Sequence, residues 1–461
     1  MGFYESRGLK SPMALTLLAA VFVSGCDLSL PYNAPNMRLS DKYSLIAPVH
    51  GPSLADERWW TDFHDPVLNQ LIDQAFADNP SLRQAAARIR EAEAGVRAAG
   101  NTVSGDGRLQ GTVANTDSDN AEVGLSALFD PFGVGTARKK ASAARLEAAR
   151  LGELDARRLL LSEVAQSYVN MRFFQKSLVE RNQDLRSRRV TLREITTQRD
   201  IGVSTELDVV RAKALVAELQ VDLPKLGASI VRERNRLSTL VGKPVGMMNI
   251  NLAFSGRQPN PPGLSKVGVP ADILRNRPDV RAAERLYAAA VSGIDEAHAA
   301  RYPRLSLSGV IRAPFGGGSS SESLSAGLVL PVFNQPTLQA EVGASAARAD
   351  QAYEEWRQVV LTAVEEVETA LNSLHASYAA VRASRQVVTL NENALNLSRR
   401  LLESRGNITV LDLLDRERTV TTSRSVLTSN QRDLAVDFIS LRVALGMNTA
   451  PMPDHVVASV E

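Results

Sequence analysis

Apolar residues recur at every seventh position along two stretches of the chain: Val164, Met171, Leu178, Leu185 and Leu192 in one, Val367, Leu374, Val381, Val388 and Leu395 in the other. Such a repeat keeps one helix face apolar and forms the seam that coiled-coil packing needs. The stretches that carry it, Thr136 to Arg199 and Thr337 to Arg405, contain no proline and one glycine each, Gly152 and Gly343. Each predicts a helix on the order of 100 Å long, which survives only against partner helices. Val203 to Val241 and Ile408 to Leu445 read as the return strokes of antiparallel hairpins, with tips near residues 200–205 and 403–409 and a kink expected at Pro224.

The two stripes superpose at an offset of 203 residues, Val164 falling on Val367. Past the tips the offset becomes 204, so that Gly202 faces Gly406, Leu207-Asp208 faces Leu411-Asp412, and Leu240-Val241-Gly242 faces Ala444-Leu445-Gly446. Upstream, Asn79-Pro80-Ser81-Leu82-Arg83 is similar to Arg277-Pro278-Asp279-Val280-Arg281, each with proline just inside a helix start. The chain is thus written twice. The first repeat is expected over 59–258 and the second over 271–447, with a Pro-rich linker at 259–270 and a tail at 448–461.

Each repeat also holds a stretch of period two. Leu109, Gly111 and Val113, then Val123, Leu125, Ala127 and Phe129, alternate with polar neighbours; so do Leu305, Leu307, Gly309 and Ile311, then Leu324, Ala326, Leu328 and Leu330. These predict hairpins at about 104–130 and 303–333. Four strands, apolar on one face, cannot close into a membrane barrel, because barrels begin at eight strands and an open edge in lipid leaves backbone groups unsatisfied. Three copies of the chain would supply twelve strands. The periodicity leaves open a soluble pair of hairpins capping a helical bundle. The fold class expected is mainly α with a β-barrel part.

The amino terminus follows neither period. Arg7 and Lys10 precede the apolar run Met13 to Val23, which is too short to cross a bilayer as a helix and reads as an export signal over 1–25. Cys26, the only cysteine, ends that signal, and Pro31, Pro35, Pro48 and Pro52 make 26–58 an extended tether. Lys plus Arg number 53 against 51 Asp plus Glu, a balance that gives no field to suggest nucleic acid as a partner. Aromatics are only 5% of the residues, as long helices lead one to expect. His50, His64, His298, His375 and His455 are scattered without metal-ligand spacing, and no phosphate loop or nucleophile elbow stands in the chain. Neither catalysis nor a cofactor is expected. Paired acids such as Glu365-Glu366 read as solvated helix face.

Four segments carry a family resemblance. They are Trp59-Trp60 with Asp65 to Ile72, the block Arg277 to Glu284, Arg301 to Gly309, and Leu330 to Asn334. Together they resemble the TolC-like outer-membrane efflux proteins, in particular their lipoprotein branch. That resemblance implies a homotrimer in the outer membrane, a twelve-stranded barrel continued by a helical tunnel into the periplasm. It implies as partners a periplasmic adaptor protein and an inner-membrane transporter of the RND type. Val23-Ser24-Gly25-Cys26 resembles a lipobox, which implies cleavage before Cys26 and a diacylglycerol and N-acyl lipid on it. Asp27 in the next position tends to hold lipoproteins in the inner membrane of enteric bacteria, so the barrel is expected to set the address.

The resemblance also places a gate and a docking site. Acidic residues after the tip glycine close the tunnel in family members, and Asp208, Asp412 and Asp415 occupy matching positions, with Leu411 as a neighbouring apolar constriction. In a trimer each aspartate would form a ring of like charges, which raises the cost of ionisation. Asp415 and Arg418 keep the i,i+3 spacing that lets a salt bridge form. Gly202 and Gly406 match the tips that receive the adaptor. Glu403 and Ile408 stand where some relatives have a tyrosine and a basic residue. The alternatives are the outer-membrane channel of a type I protein secretion system and a non-conducting coiled-coil lipoprotein. A periplasmic adaptor, with one hairpin flanked by soluble β-domains, fits the two hairpins less well.

Overall fold

The computed structural model describes residues 32–39, 58–99, 103–112, 120–253, 257–262, 277–314, 319–404 and 408–446. Cys26 and Gly406 lie outside the described residues. The element order is written twice. After a 3-10 turn at Trp59–Phe63 come α1 (Pro66–Asp78), α2 (Pro80–Ala99), the hairpin β1 (Val103–Thr112) and β2 (Asn120–Phe129), then α3 (Val134–Asp200) and α4 (Glu206–Leu240). The second half runs α5 (Pro278–Ala299), β3 (Arg304–Pro314), β4 (Ser321–Val329), α6 (Gln335–Glu403) and α7 (Val410–Ala444). The long helices α3 and α6 have 67 and 69 residues, and α4 continues through Pro224 as one helix. Two compact units cut across the sequence repeat, and each draws on both halves.

One unit gathers residues 1–37, 87–150 and 282–359. Its sheet has the order β1-β2-β3-β4, antiparallel throughout. In-register partners share a face, so Leu109, Val123 and Ile311 lie in one row, and Gly309, Leu125 and Leu324 in the next. The opposite face carries Gln110, Glu122 and Arg312 in one row, with Arg312 donating to Glu122 at 2.7 Å. The apolar face is open: Leu109 is 80% and Leu324 87% exposed. Below the sheet, Phe132 stacks on Tyr302 at 4.9 Å, and Arg138 pairs with Glu296 at 2.8 Å.

The other unit gathers 38–86, 151–281 and 360–461. Asp65 caps α1 by accepting from the Val67 and Leu68 amides, and Pro66 begins the helix where no N–H is needed. This plants Trp59 and Trp60 edge to face, 6.2 Å apart, with Trp59 also against Phe438 of α7. Around them pack Leu68, Leu71, Val164, Met171, Val367 and Leu374, which joins both seven-residue stripes in one core. Of the ten stripe residues, Val164, Met171, Leu185, Val367, Leu374, Val381 and Leu395 are buried and the others half-buried.

The duplication extends to single contacts. Asn79, before the first proline of α2, caps that helix and donates its side-chain amide to the Leu240 carbonyl at the end of α4. Arg277, before the first proline of α5, donates to the Ala444 carbonyl at the end of α7 at 2.9 Å. Gly242 and Gly446 follow those helix ends with φ of 70° and 72°. A Cβ on Gly242 would lie 2.3 Å from the Asp78 carbonyl oxygen, and one on Gly446 would lie 2.9 Å from the Arg277 side chain. Both positions need glycine for space as well as for φ. Arg277, 2% exposed, also pairs with Asp279 and Glu366, so this part of the Arg277 to Glu284 block is a structural joint.

Candidate functional site

At the first tip, α3 ends in a Schellman motif. The Gly202 N–H reaches the Arg199 carbonyl and the Val203 N–H the Gln198 carbonyl, with Gly202 at φ 78°. Nothing lies within 4 Å of where its Cβ would be, so glycine is needed there for conformation alone. Helix α4 then opens with a capping box: the Thr205 hydroxyl oxygen accepts from the Asp208 N–H at 3.2 Å, and the Asp208 carboxylate accepts from the Thr205 N–H at 3.1 Å. Helix α7 repeats it with Thr409 and Asp412, at 3.2 and 2.9 Å. The two matched aspartates are therefore helix caps first. Hydrogen bonds from the Thr205 and Thr409 hydroxyls, then from their amides, hold the Asp208 and Asp412 carboxyls below the usual range. In a ring of three chains, like-charge repulsion would act between chains and against this local effect.

Leu411 is 50% exposed, and Asp415 and Arg418 are exposed on α7. Asp415 and Arg418 line one cavity of about 520 Å³ with Ser384, Val387, Asn391 and Val426. Among the described residues no ion pair joins them. An exposed i,i+3 pair gains little against the rotamer freedom it gives up, so the spacing alone does not form it. Between the caps, the structure does join the two tips: Ile195, Val209, Ala212 and Leu414 form a buried cluster, with Val410 against it.

Above the tips lies a feature that the sequence reading missed, a polar seam between α3 and α7. Lys176 donates to Gln431 at 2.6 Å, Thr428 donates to Glu180 at 2.9 Å, Arg424 stands 3.6 Å from Asp184, and Thr191 donates to Glu417 at 2.8 Å. Arg399 and Glu392 of α6 join by pairing with Glu417 and Arg424 at 2.9 and 2.6 Å. Glu417 is 4% and Arg188 5% exposed, and Arg188 keeps its Nε and Nη1 without hydrogen-bond partners. Burial pushes the Glu180 and Asp184 carboxyls up, although Thr428 and Arg424 pull the other way. The available signal was the four-residue interval of Lys176, Glu180, Asp184 and Arg188, a single helix face of charge.

No described helix is long and apolar enough to cross a membrane, and no three His, Cys, Asp or Glu among the described residues cluster as metal ligands. The profile of the outer membrane efflux protein family matches residues 71–243 and 269–447. Nodulation protein T of Rhizobium leguminosarum bv. trifolii is 31% identical, over 94% of this chain and 97% of its own. The pyoverdine export outer membrane protein OpmQ of Pseudomonas putida is 29% identical over 89% and 90%. The solved outer-membrane channel OprN superposes with a TM-score of 0.82 at 26% identity, covering 92% of this chain and all of that one. By a match over most of its length, the chain belongs to the outer membrane efflux protein family and is an outer-membrane efflux channel.

Proposed function

We propose that this channel is the exit duct of a tripartite efflux pump, a homotrimer that passively conducts substrate from an RND-type transporter and a periplasmic adaptor to the outside. One observation carries the reading: a four-stranded sheet with an open apolar face and, among the described residues, two free edges, β1 and β4, in a chain that also folds long helical hairpins. Three sheets supply the twelve strands of a closed barrel, with the apolar faces toward lipid. The hairpins then wall a tunnel whose periplasmic end holds Asp208, Leu411, Asp412, Asp415 and Arg418 as the gate. Gly202 and Gly406 mark the tips that meet the adaptor, and acylated Cys26 adds a lipid anchor. The relatives are named for tasks as different as nodulation and pyoverdine export, which supports selection of substrate by the transporter rather than by the duct.

Single-channel conductance in planar bilayers tests the duct and the gate together. The purified trimer is expected to conduct weakly and cation-selectively. Replacing Asp208, Asp412 and Asp415 with Ala should raise conductance and weaken cation selectivity, as removal of rings of acidic side chains does. Asp415→Ala alone separates gating from capping, because Asp415 makes no cap. A folded trimer that never conducts, even with all three replaced, would leave a coiled-coil lipoprotein as the reading.

A further inference from the structure

In the unit that holds the Trp59 core, the stretch 257–262 between α4 and α5 is pinned to the helices on both sides. The Tyr378 hydroxyl of α6 donates to the Pro262 carbonyl. Just upstream, Arg172 and Gln175 of α3 donate to the Ala253 and Leu252 carbonyls at 2.7 and 2.8 Å. Pro259 and Pro261 are buried, and their rings fix the backbone between these anchors. Beside the stretch is a cavity of about 300 Å³, lined by Arg257, Gln258 and Asn260 together with Lys176 of α3, Arg385 of α6 and Gln431 of α7. A second cavity, of about 450 Å³, shares Asn260 and Arg385 with the first and adds Arg382. Both volumes are in the range of small-ligand sites, roughly 300–1,000 Å³.

Two things in the first cavity are left unbalanced. The Gln258 Nε2 and Oε1 are both buried, and neither has a hydrogen-bond partner, which is costly for an amide out of reach of water. The lining also carries three cationic side chains, Lys176, Arg257 and Arg385, and no carboxylate. Among the described residues, Arg257 and Arg385 form no ion pair. Lys176 donates to Gln431 at 2.6 Å, and its carboxylate neighbour Glu180 stands 3.9 Å away, outside the lining. Burial pushes the Lys176 ammonium below its ordinary range; Glu180 opposes this and Arg385 adds to it. Water can satisfy an amide, but it leaves the surplus of positive charge as it stands. A small oxyanion answers both, because its oxygens accept from guanidinium, ammonium and amide N–H groups at once. Phosphate, unlike sulfate, also keeps an O–H at neutral pH, which can donate to the Gln258 Oε1.

We propose that this cavity binds a phosphate-class oxyanion, held by Lys176, Arg257 and Arg385 and oriented by the side-chain amide of Gln258. The bound anion ties the segment between the two repeats to α3 and α6, and it satisfies the one amide in the lining that the chain itself leaves without a partner.

Equilibrium dialysis of the full-length protein in detergent against labelled inorganic phosphate, at an ionic strength held constant with chloride, tests the site. Phosphate is expected to bind saturably and more tightly than sulfate. Arg257→Gln together with Arg385→Gln should weaken binding about tenfold or more, since each removes a charge-assisted hydrogen bond. Both side chains are exposed, so the double variant keeps its fold, and circular dichroism on the same samples checks this. Gln258→Glu supplies a carboxylate from the chain itself and should exclude phosphate while raising the unfolding midpoint measured without it. Lys213→Gln, which removes an exposed charge on α4 away from the cavity, should leave binding unchanged. Absence of saturable binding overturns the site, as it would if a carboxylate of a neighbouring copy already filled the cavity. Equal affinity for phosphate and sulfate, phosphate binding retained in Gln258→Glu, or an equal loss in Lys213→Gln overturns it as well.

Discussion

The same side chain does opposite things at the hairpin tips and in the seam above them. At the tips, Asp208 and Asp412 stand at helix N-termini where hydroxyls and amides donate to them, and their carboxyls are held low. Between α3 and α7, Glu180 and Asp184 are buried, and loss of water pushes their carboxyls up despite nearby partners. Ionisation therefore stabilises the tips and strains the seam.

The largest expected effect is at Glu417, the buried carboxylate that accepts from Thr191 and Arg399 and faces Arg188. Glu417→Ala leaves buried cationic charge uncompensated and should cost about 3 kcal/mol, read as a lower midpoint of helical unfolding in detergent. Glu417→Met with Arg188→Met removes the charge and its partner together, and should recover most of that loss. A double variant no more stable than the single one would mean that the seam stabilises through its charges, and the contrast with the tips would lapse.

The contrast also marks what a sequence can reveal. The seven-residue stripe and the period-two rows were legible because each is a one-dimensional pattern, and burial of Val164, Met171, Val367 and Leu374 follows from it directly. The strand register and the joints at Asn79 and Arg277 were half legible: the duplication aligned their residues, but not the carbonyls of Leu240 and Ala444 that they bind. The seam was hidden because Lys176, Glu180 and Asp184 look like any solvated face until α7 is laid over them. The tip aspartates were found as gate candidates, whereas their capping role needed only Thr205 and Thr409 three residues earlier, a pattern visible in the chain.

Next in size is the cap. Thr205→Ala removes the hydroxyl that both accepts from the Asp208 amide and donates to its carboxylate, at a cost of about 1 kcal/mol to the start of α4. Asp208 has a folded pKa below its unfolded one, so its share of stability is present above the ordinary Asp range and is lost as pH falls through the lowered value. Amide hydrogen exchange over residues 206–210 should accelerate about fivefold in Thr205→Ala at neutral pH. The difference from the unaltered protein should shrink in acid. An acceleration that persists unchanged in acid would mean that the carboxylate contributes nothing to the cap.

The smallest effect carries the opposite sign. Glu180 has a folded pKa above its unfolded one, so the folded chain holds the proton more tightly, and stability falls as pH rises from the ordinary Glu value through the raised one. Glu180→Gln keeps a hydrogen-bond acceptor for Thr428 and removes the titration. It should raise the unfolding midpoint at neutral pH by less than Thr205→Ala lowers it, and flatten the fall in stability over the acid-to-neutral window. Lys176 limits the gain: it lies 3.9 Å from Glu180 and loses that counter-charge, but burial already lowers its own pKa and the Gln431 side-chain oxygen still accepts its hydrogen bond. A lower midpoint in Glu180→Gln, with the pH slope unchanged, would show that the Lys176 pair outweighs the burial of the carboxylate and that seam and tips obey the same rule.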